Sequence, residues 1–134
     1  MERIEVVDSH TEGEPTRVVV AGGPQLPVGP ATASLEILRD RHDGFRTTVC
    51  NEPRGFDAMV GALLLPPARP AALAQVVFFN NVGYLGMCVH GTIGVAETLR
   101  HLGRISPGSP QVLETPVGDV TIELGDQGRV AVQN

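Results

Sequence analysis

The sequence predicts an α+β fold built around one hydrophobic core. Roughly eight strand candidates lie in clusters and do not alternate regularly with the two predicted helices, which argues against a doubly wound parallel sheet. The 134 residues are about one domain's worth. An apolar content of 42% with 19% charged residues is typical of globular proteins.

Composition also excludes several function classes. The net charge is -5, and the ten basic residues are all Arg and scattered, so we expect no nucleic-acid partner. No apolar run reaches the ~20 residues that span a bilayer, and the charged start Met1–Glu5 lacks a signal-peptide core. Two cysteines are too few for a disulfide scaffold. We therefore expect no membrane partner and a cytoplasmic location.

The chain begins with a predicted hairpin. Short runs rich in β-branched residues predict strands over Glu5–Ser9 and Thr16–Ala21. Between them, His10–Pro15 is a polar turn crowded with ionisable groups. A loop with three prolines follows over Gly22–Pro30.

An amphipathic helix is predicted over Thr32–His42, where Leu35 and Leu38 lie among charged residues. We expect Thr32 to cap this helix and Gly44 to end it.

The middle of the chain predicts three strands, over Arg46–Cys50, Asp57–Leu65 and Ala74–Asn81. Asn51–Gly55 is predicted to be a turn between the first two. The run Pro66–Ala72 is the only segment expected to be flexible.

A second helix is predicted over Thr92–Leu102, after the glycine-rich loop Gly83–Gly91. It is apolar around most of its circumference, which is typical of a buried helix, and Gly103 provides a C-terminal stop. The last strands are predicted over Gln111–Thr115, Asp119–Leu124 and Arg129–Val132.

Cys88 is the most informative candidate residue, because it lies where the glycine-rich loop turns into the second helix. Unpaired N–H groups and the partial positive charge of a helix N-terminus stabilise a thiolate. The same N–H groups can bind a substrate carboxylate. The alternative is a buried structural cysteine, a common role for this residue type.

His90 could be a general base, a metal ligand or a packing group. No His or Cys spacing matches a zinc pattern, so no metal site is predicted. A Cys88–His90 dyad needs side chains that face each other, which a spacing of two residues does not ensure. We therefore favour a substrate-binding role for the backbone N–H groups of Val89 and His90, with the imidazole secondary.

The other polar candidates are less specific. His10, Glu12 and Glu14 could perform acid/base chemistry, but such a cluster is more often a solvated turn. Glu52–Gly55 could be a tight turn fixed by an ion pair, and Asp57 could cap a strand end.

Two further observations limit the chemistry. Cys50 lies in a β-branched run and is predicted to be a core residue. No phosphate-binding motif is present, and the chain has no Lys, which excludes a Schiff-base lysine and hence pyridoxal phosphate anchoring by these residues.

Four segments are informative together, and they are Asp8–Arg17, Asn51–Asp57, Asn81–Gly94 and Glu114–Gly118. In this order they resemble the opening motif, the second motif, the segment around the first catalytic cysteine and a later structural stretch of the proline racemase family. That family includes proline racemases, 4-hydroxyproline 2-epimerases and trans-3-hydroxyproline dehydratases. The segment around the cysteine is highly specific.

The resemblance implies a diaminopimelate epimerase-like lobe, in which a mostly antiparallel sheet or barrel wraps around a central apolar helix. It implies cofactor-independent epimerisation by two thiols on opposite sides of the substrate α-carbon. Cys88 would be the first acid/base, and the N–H groups of Val89 and His90 would bind the carboxylate. Among the family's reactions we favour 4-hydroxyproline epimerisation; the alternatives are the dehydratase and the proline racemase, and the substrate in each case is a small imino acid.

Two departures qualify these expectations. The family commonly has Gly at the position of Val89, where a side chain would narrow the pocket or shift the loop. Family members are also more than twice this length, so residues 1–134 are expected to be a single lobe that corresponds to the N-terminal half. The second cysteine lies in the other half, and Cys50 does not match its motif. A catalytically incomplete lobe that binds a partner or self-associates is therefore an alternative function.

Overall fold

The computed structural model describes residues 3–133. The helices are α1 (Ala31–Arg41), α2 (Asp43–Cys50) and α3 (Val89–His101), with a short 3₁₀ helix over Asp126–Gly128. The strands are β1 (Glu5–Thr11), β2 (Glu14–Ala21), β3 (Val60–Leu65), β4 (Ala74–Phe79), β5 (Tyr84–Leu85), β6 (Gln111–Thr115), β7 (Gly118–Leu124) and β8 (Val130–Gln133).

The strands form one mixed sheet in the order β1-β2-β3-β4-β6-β7-β8, with β5 also paired to β4. The β2–β3 and β4–β6 pairs are parallel and the remaining pairs are antiparallel. This confirms the predicted α+β class and the mostly antiparallel sheet. The first hairpin is also confirmed, although both strands run further than predicted and leave the two-residue turn Glu12–Gly13, with positive φ at both positions.

The sheet wraps around α3, as expected for a buried apolar helix. Val95, Ala96 and Leu99 of α3 are fully buried against the inner face of the sheet. Gly103, with φ of +73°, ends the helix as predicted. No helix in the described part of the chain is long and apolar enough to cross a membrane.

The helices α1 and α2 cover the outer face of the sheet. Leu38 of α1 and Val49 and Cys50 of α2 join a second hydrophobic cluster with Val77 and Phe79 of β4. Because β4 packs on α3 with one face and on this cluster with the other, all six of its residues are buried. Burial on both faces explains why its sequence is a continuous apolar run without polar alternation.

The predicted strand over Arg46–Cys50 is wrong, because these residues belong to α2. The hydroxyls of Thr47 and Thr48 donate to Gly44 O inside the helix, so the β-branched run keeps its polar groups satisfied. Arg46 pairs with Asp43 one turn earlier, at 2.7 Å from Nε to Oδ1. The buried residues of α2 are Arg46, Val49 and Cys50. Their spacing of three and four positions is typical of a helix, but the strand propensity of the β-branched residues pointed to a strand.

Both predicted ends of α1 also need correction. Pro30 occupies the N-cap position without a side-chain hydrogen bond, so Thr32 does not cap the helix. Gly44 lies inside α2, and α1 ends at Arg41, before His42. The strand predicted over Asp57–Leu65 starts later than expected, since β3 begins at Val60.

A buried polar network joins β4, β6 and the segment expected to be flexible. The Glu114 carboxylate accepts hydrogen bonds from the backbone N–H groups of Ala68 and Arg69, from the Arg69 guanidinium and from the Gln75 amide. Burial of this carboxyl opposes its ionisation, but the hydrogen bonds outweigh that effect and lower the pKa of Glu114. The network holds the start of the Pro66–Ala72 segment against the sheet.

Replacing the helical Gly94 with Ala is expected to destabilise the fold by about 1–3 kcal/mol. A Cβ at Gly94 would lie 2.8 Å from Thr16 Cβ and 3.0 Å from Ser9 Oγ, so α3 would have to move away from the hairpin. Gly44→Ala in α2 is the matched control, because nothing lies within 4 Å of its Cβ position. We expect that control to be neutral or stabilising by up to ~1 kcal/mol. Urea unfolding measures both, and equal effects would contradict the close packing at Gly94.

Glu114→Gln is expected to lower the free energy of unfolding at pH 7 by about 1–3 kcal/mol, because buried donors lose a charged acceptor. Since the folded-state pKa of Glu114 is lowered, its contribution is complete above the ordinary pKa of Glu and is lost as pH falls through the folded-state value. The difference between wild type and variant should therefore shrink in acid. Asp119→Asn, which removes the exposed partner of Arg69, is the control and should cost under about 1 kcal/mol. A wild-type-to-variant difference that does not change with pH would contradict this role.

Candidate active site at the start of the central helix

Cys88 occupies the N-cap position of α3. Its backbone is extended, with φ of -145° and ψ of 119°, and no side chain caps the helix. The carbonyl of Cys88 accepts both the N–H and the hydroxyl of Thr92, at 2.8 and 2.7 Å. These bonds fix the junction between loop and helix, and they leave the half-buried thiol at the helix terminus.

The first turn of α3 offers backbone donors beside this thiol. Thr92 is the residue whose N–H donates to the carbonyl of Cys88, the N-cap residue. The hydrogen-bond pattern of the helix therefore starts only after Val89, His90 and Gly91. The N–H groups of a first helical turn have no intrahelical acceptors, and here no side chain of the N-cap replaces them. An anion beside Cys88 would therefore meet both hydrogen-bond donors and the positive end of the helix dipole.

The His90 imidazole faces the thiol. Its Nδ1 lies 3.5 Å from Cys88 Sγ, and its Nε2 lies 4.0 Å from the same atom. The sequence spacing alone left this orientation open and favoured a secondary role for the imidazole. The structure brings the two side chains together, so His90 can exchange a hydrogen bond with the thiol as well as supply a backbone donor.

The first turn of α3 packs closely against β4 of the sheet. A Cβ at Gly91 would lie 2.9 Å from the ring of Phe78 and 3.3 Å from Cys88 Cβ. Phe78 is fully buried in β4. Gly91 therefore lets α3 lie directly on the Phe78 ring, which determines how far Cys88 stands from the sheet.

The hairpin cluster of His10, Glu12 and Glu14 lies on the exposed side of the β1–β2 turn. Within residues 3–133 neither glutamate forms a side-chain hydrogen bond or ion pair, which agrees with a solvated turn. The hairpin contributes structurally instead, because the Thr11 hydroxyl donates to His90 O at 3.4 Å.

The second motif is held by a residue of the first motif, which the sequence did not reveal. Arg17 pairs with both oxygens of Asp8 and donates to the carbonyls of Val49 and Arg54. No ion pair between Glu52 and Arg54 is found among the described residues. The guanidinium thus ties the turn after α2 to the first hairpin, a contact that requires residues distant in sequence.

The remaining candidates are not part of the site. Cys50 is fully buried in the outer core, as predicted, and burial raises the pKa of its thiol to about 11. Asp57 is exposed, and its carboxylate accepts a long 3.4 Å hydrogen bond from Asn81. No group of three or more His, Cys, Asp or Glu side chains in the described chain could hold a metal ion.

Residues 6–134 match the model of the family described as proline racemase. The chain belongs to the proline racemase family. A 4-hydroxyproline 2-epimerase of Xanthomonas campestris is 57% identical over the whole chain, and one of Pseudomonas aeruginosa is 53% identical. The chain spans 43% and 42% of the lengths of these two relatives.

Solved structures show the same fold. One is a hydroxyproline epimerase from Agrobacterium vitis, solved with bound trans-4-hydroxy-L-proline. It aligns with 98% of this chain, with a TM-score of 0.87 and 26% sequence identity. The match covers 42% of that epimerase. A PhzF-family protein from Bacillus anthracis, 17% identical with a TM-score of 0.59, shares the fold alone.

In the native chain at pH 8, an alkylating reagent is expected to modify Cys88 and to spare Cys50. Cys88 is half-buried at the surface, whereas Cys50 is inaccessible and keeps its proton because its pKa is raised to about 11. Mass spectrometry after iodoacetamide treatment measures this. Cys88→Ser should remain unmodified until urea exposes Cys50; rapid modification of that variant without urea would contradict the structure.

Proposed function

We propose that this chain carries the first-thiol half of a cofactor-independent 4-hydroxyproline 2-epimerase. One observation carries the proposal: Cys88 caps α3 with its Sγ 3.5 Å from His90 Nδ1, beside N–H groups that no side chain caps. The high identity to proteins named 4-hydroxyproline 2-epimerase supports the choice of substrate.

In this proposal the Cys88 thiolate removes the α-proton of the imino acid and becomes a thiol. The electron pair left on the α-carbon delocalises into the carboxylate, whose charge therefore grows during the step. The N–H groups of Val89 and His90 bind that carboxylate and stabilise the added charge. A proton returned to the opposite face completes the inversion without any change in oxidation state.

The His90 imidazole assists through its contact with Cys88. Its Nδ1 lies 3.5 Å from Cys88 Sγ, and a hydrogen bond at this distance holds the thiol in one orientation. Thr11 contributes indirectly, because its hydroxyl holds the first turn of α3 against β1.

Inversion needs a second acid on the other face of the α-carbon. Cys50 cannot supply it, because it lies fully buried in the outer cluster of the sheet. The second group is therefore expected from residues outside this chain, and it also decides between epimerase and dehydratase chemistry. We also propose that the protein is cytoplasmic and that the reaction needs no cofactor.

A second candidate function is a lobe that associates with a partner through its active face. Val89 is 59% exposed and Val117 is 60% exposed, and both flank the Cys88 loop. Exposed apolar residues beside a site favour a covering partner, such as a second lobe or a second copy of this chain. Gel filtration distinguishes these states, since a monodisperse monomer would argue against self-association. The intact mass, compared with 14.2 kDa, shows whether a longer chain or a second fragment co-purifies.

The isolated chain is expected to exchange the α-proton of trans-4-hydroxy-L-proline with solvent but to form little of the epimer. One thiol can remove and return a proton on the same face, whereas inversion needs a donor on the other face. Proton NMR in D₂O follows exchange, and chiral chromatography follows the epimer. Cys88→Ser should reduce exchange at least about a hundredfold, since a hydroxyl is a much weaker base at neutral pH.

Cys50→Ala is the matched control and should retain exchange, because Cys50 lies outside the site. Exchange retained by Cys88→Ser would remove Cys88 from the catalytic role. Rapid epimer formation by the pure chain would show that it needs no second lobe.

A further inference from the structure

The two residues before Cys88 lie outside regular secondary structure. After β5 ends at Leu85, the backbone of Gly86 and Met87 is irregular. Within residues 3–133, no side-chain hydrogen bond reaches either residue. The thiol is held on its C-terminal side by α3, and on its N-terminal side the chain reaches it from β5 through these two irregular residues.

The turn between β6 and β7 contacts the first of these residues. A Cβ built on Gly86 would lie only 2.6 Å from Val117 Cγ1 and 4.0 Å from Val117 Cβ. Val117 thus packs directly on the backbone of Gly86, two residues before Cys88. Its side chain is nevertheless 60% exposed, so the contact adds little to the core of the fold.

The turn that presents Val117 is itself constrained. The Thr115 hydroxyl donates to Gly118 O at 2.6 Å and accepts the Val117 N–H at 3.3 Å. Gly118 has φ of +118°, a conformation that favours glycine. Thr115 is buried, so the turn is anchored in the sheet and can act as a fixed support.

We propose that Val117 is a positioning residue for Cys88, acting through its contact with Gly86. This inference rests on the proposed function, in which thiolate and carboxylate donors must face one substrate. Misplacement of such groups by about 1 Å is enough to lose a large part of their effect. The β6–β7 turn therefore sets the geometry of a site to which it contributes no reacting group.

The contact can be tested by adding a methyl group at Gly86, removing methyl groups at Val117, and combining the two changes. Gly86→Ala alone introduces the 2.6 Å clash and should displace the loop, whereas Val117→Ala alone leaves the loop unsupported. The double variant Gly86→Ala/Val117→Ala removes Cγ1 and leaves the new Cβ at an ordinary 4.0 Å from residue 117 Cβ. It should therefore restore the support that each single variant loses.

The readouts are the alkylation rates of Cys88 with iodoacetamide and with iodoacetate at fixed pH, followed by mass spectrometry. We expect the iodoacetamide rate to fall about tenfold in Gly86→Ala and about threefold in Val117→Ala, and to return to within about twofold of wild type in the double variant. Val28→Ala is the matched control: Val28 is an exposed valine in the loop before α1 and should have no effect. Cys50 monitors folding in every sample, because unfolding would make it react.

Recovery in the double variant with Cys50 still protected supports the proposal. A wild-type rate in both single variants overturns it, as does a double variant no better than Gly86→Ala. If Gly86→Ala does not fold, the proposal is tested by comparing the iodoacetamide rates of Val117→Ala and Val117→Ile. Only the alanine variant should react more slowly than wild type. The wild-type preference for iodoacetate over iodoacetamide separately tests the proposed carboxylate site. If the wild type shows no such preference, the proposed function is contradicted. The iodoacetamide rates of the variants would still test the positioning role of Val117.

Discussion

The structure depends on how closely α3 approaches the sheet that surrounds it. Gly91 lies on the ring of Phe78, and Gly94 lies against Thr16 and Ser9 of the first hairpin. Two glycines one turn apart on the same helix face allow a backbone-to-sheet distance that side chains would prevent. The sheet can then curve around α3, and the N-terminus of the helix, with Cys88 at its cap, is fixed relative to both β1 and β4.

The surrounding framework uses paired charges where the sheet alone gives no contact. Arg17 ties the hairpin to the turn after α2, Arg46 ties α2 to the end of β4 through Asn80 O, and Glu114 ties the Pro66–Ala72 segment to β6. Each group has several hydrogen-bond partners, as a largely buried charge requires. These charges position loops, whereas Cys88 and His90 remain at an open edge where a substrate or partner can reach them.

Much of the fold was predictable because local patterns agreed with the tertiary environment. The first hairpin, the doubly buried β4 and the apolar α3 follow from periodicity and burial. The prediction failed at α2, where β-branched residues indicated a strand. Tertiary packing of Val49 and Cys50 and the Asp43–Arg46 pair outweighed a weak local preference.

The sequence by itself determined the class of the fold, the family motifs and the place of Cys88 at the start of a buried helix, because these depend on spacing along the chain. Only the tertiary structure decided that the His90 ring faces the thiol, that Arg17 holds the second motif and that Val117 packs on Gly86. The last two contacts join residues about 30 positions or more apart, and the first depends on a side-chain rotamer. Neither long-range proximity nor rotamer choice is encoded in local periodicity.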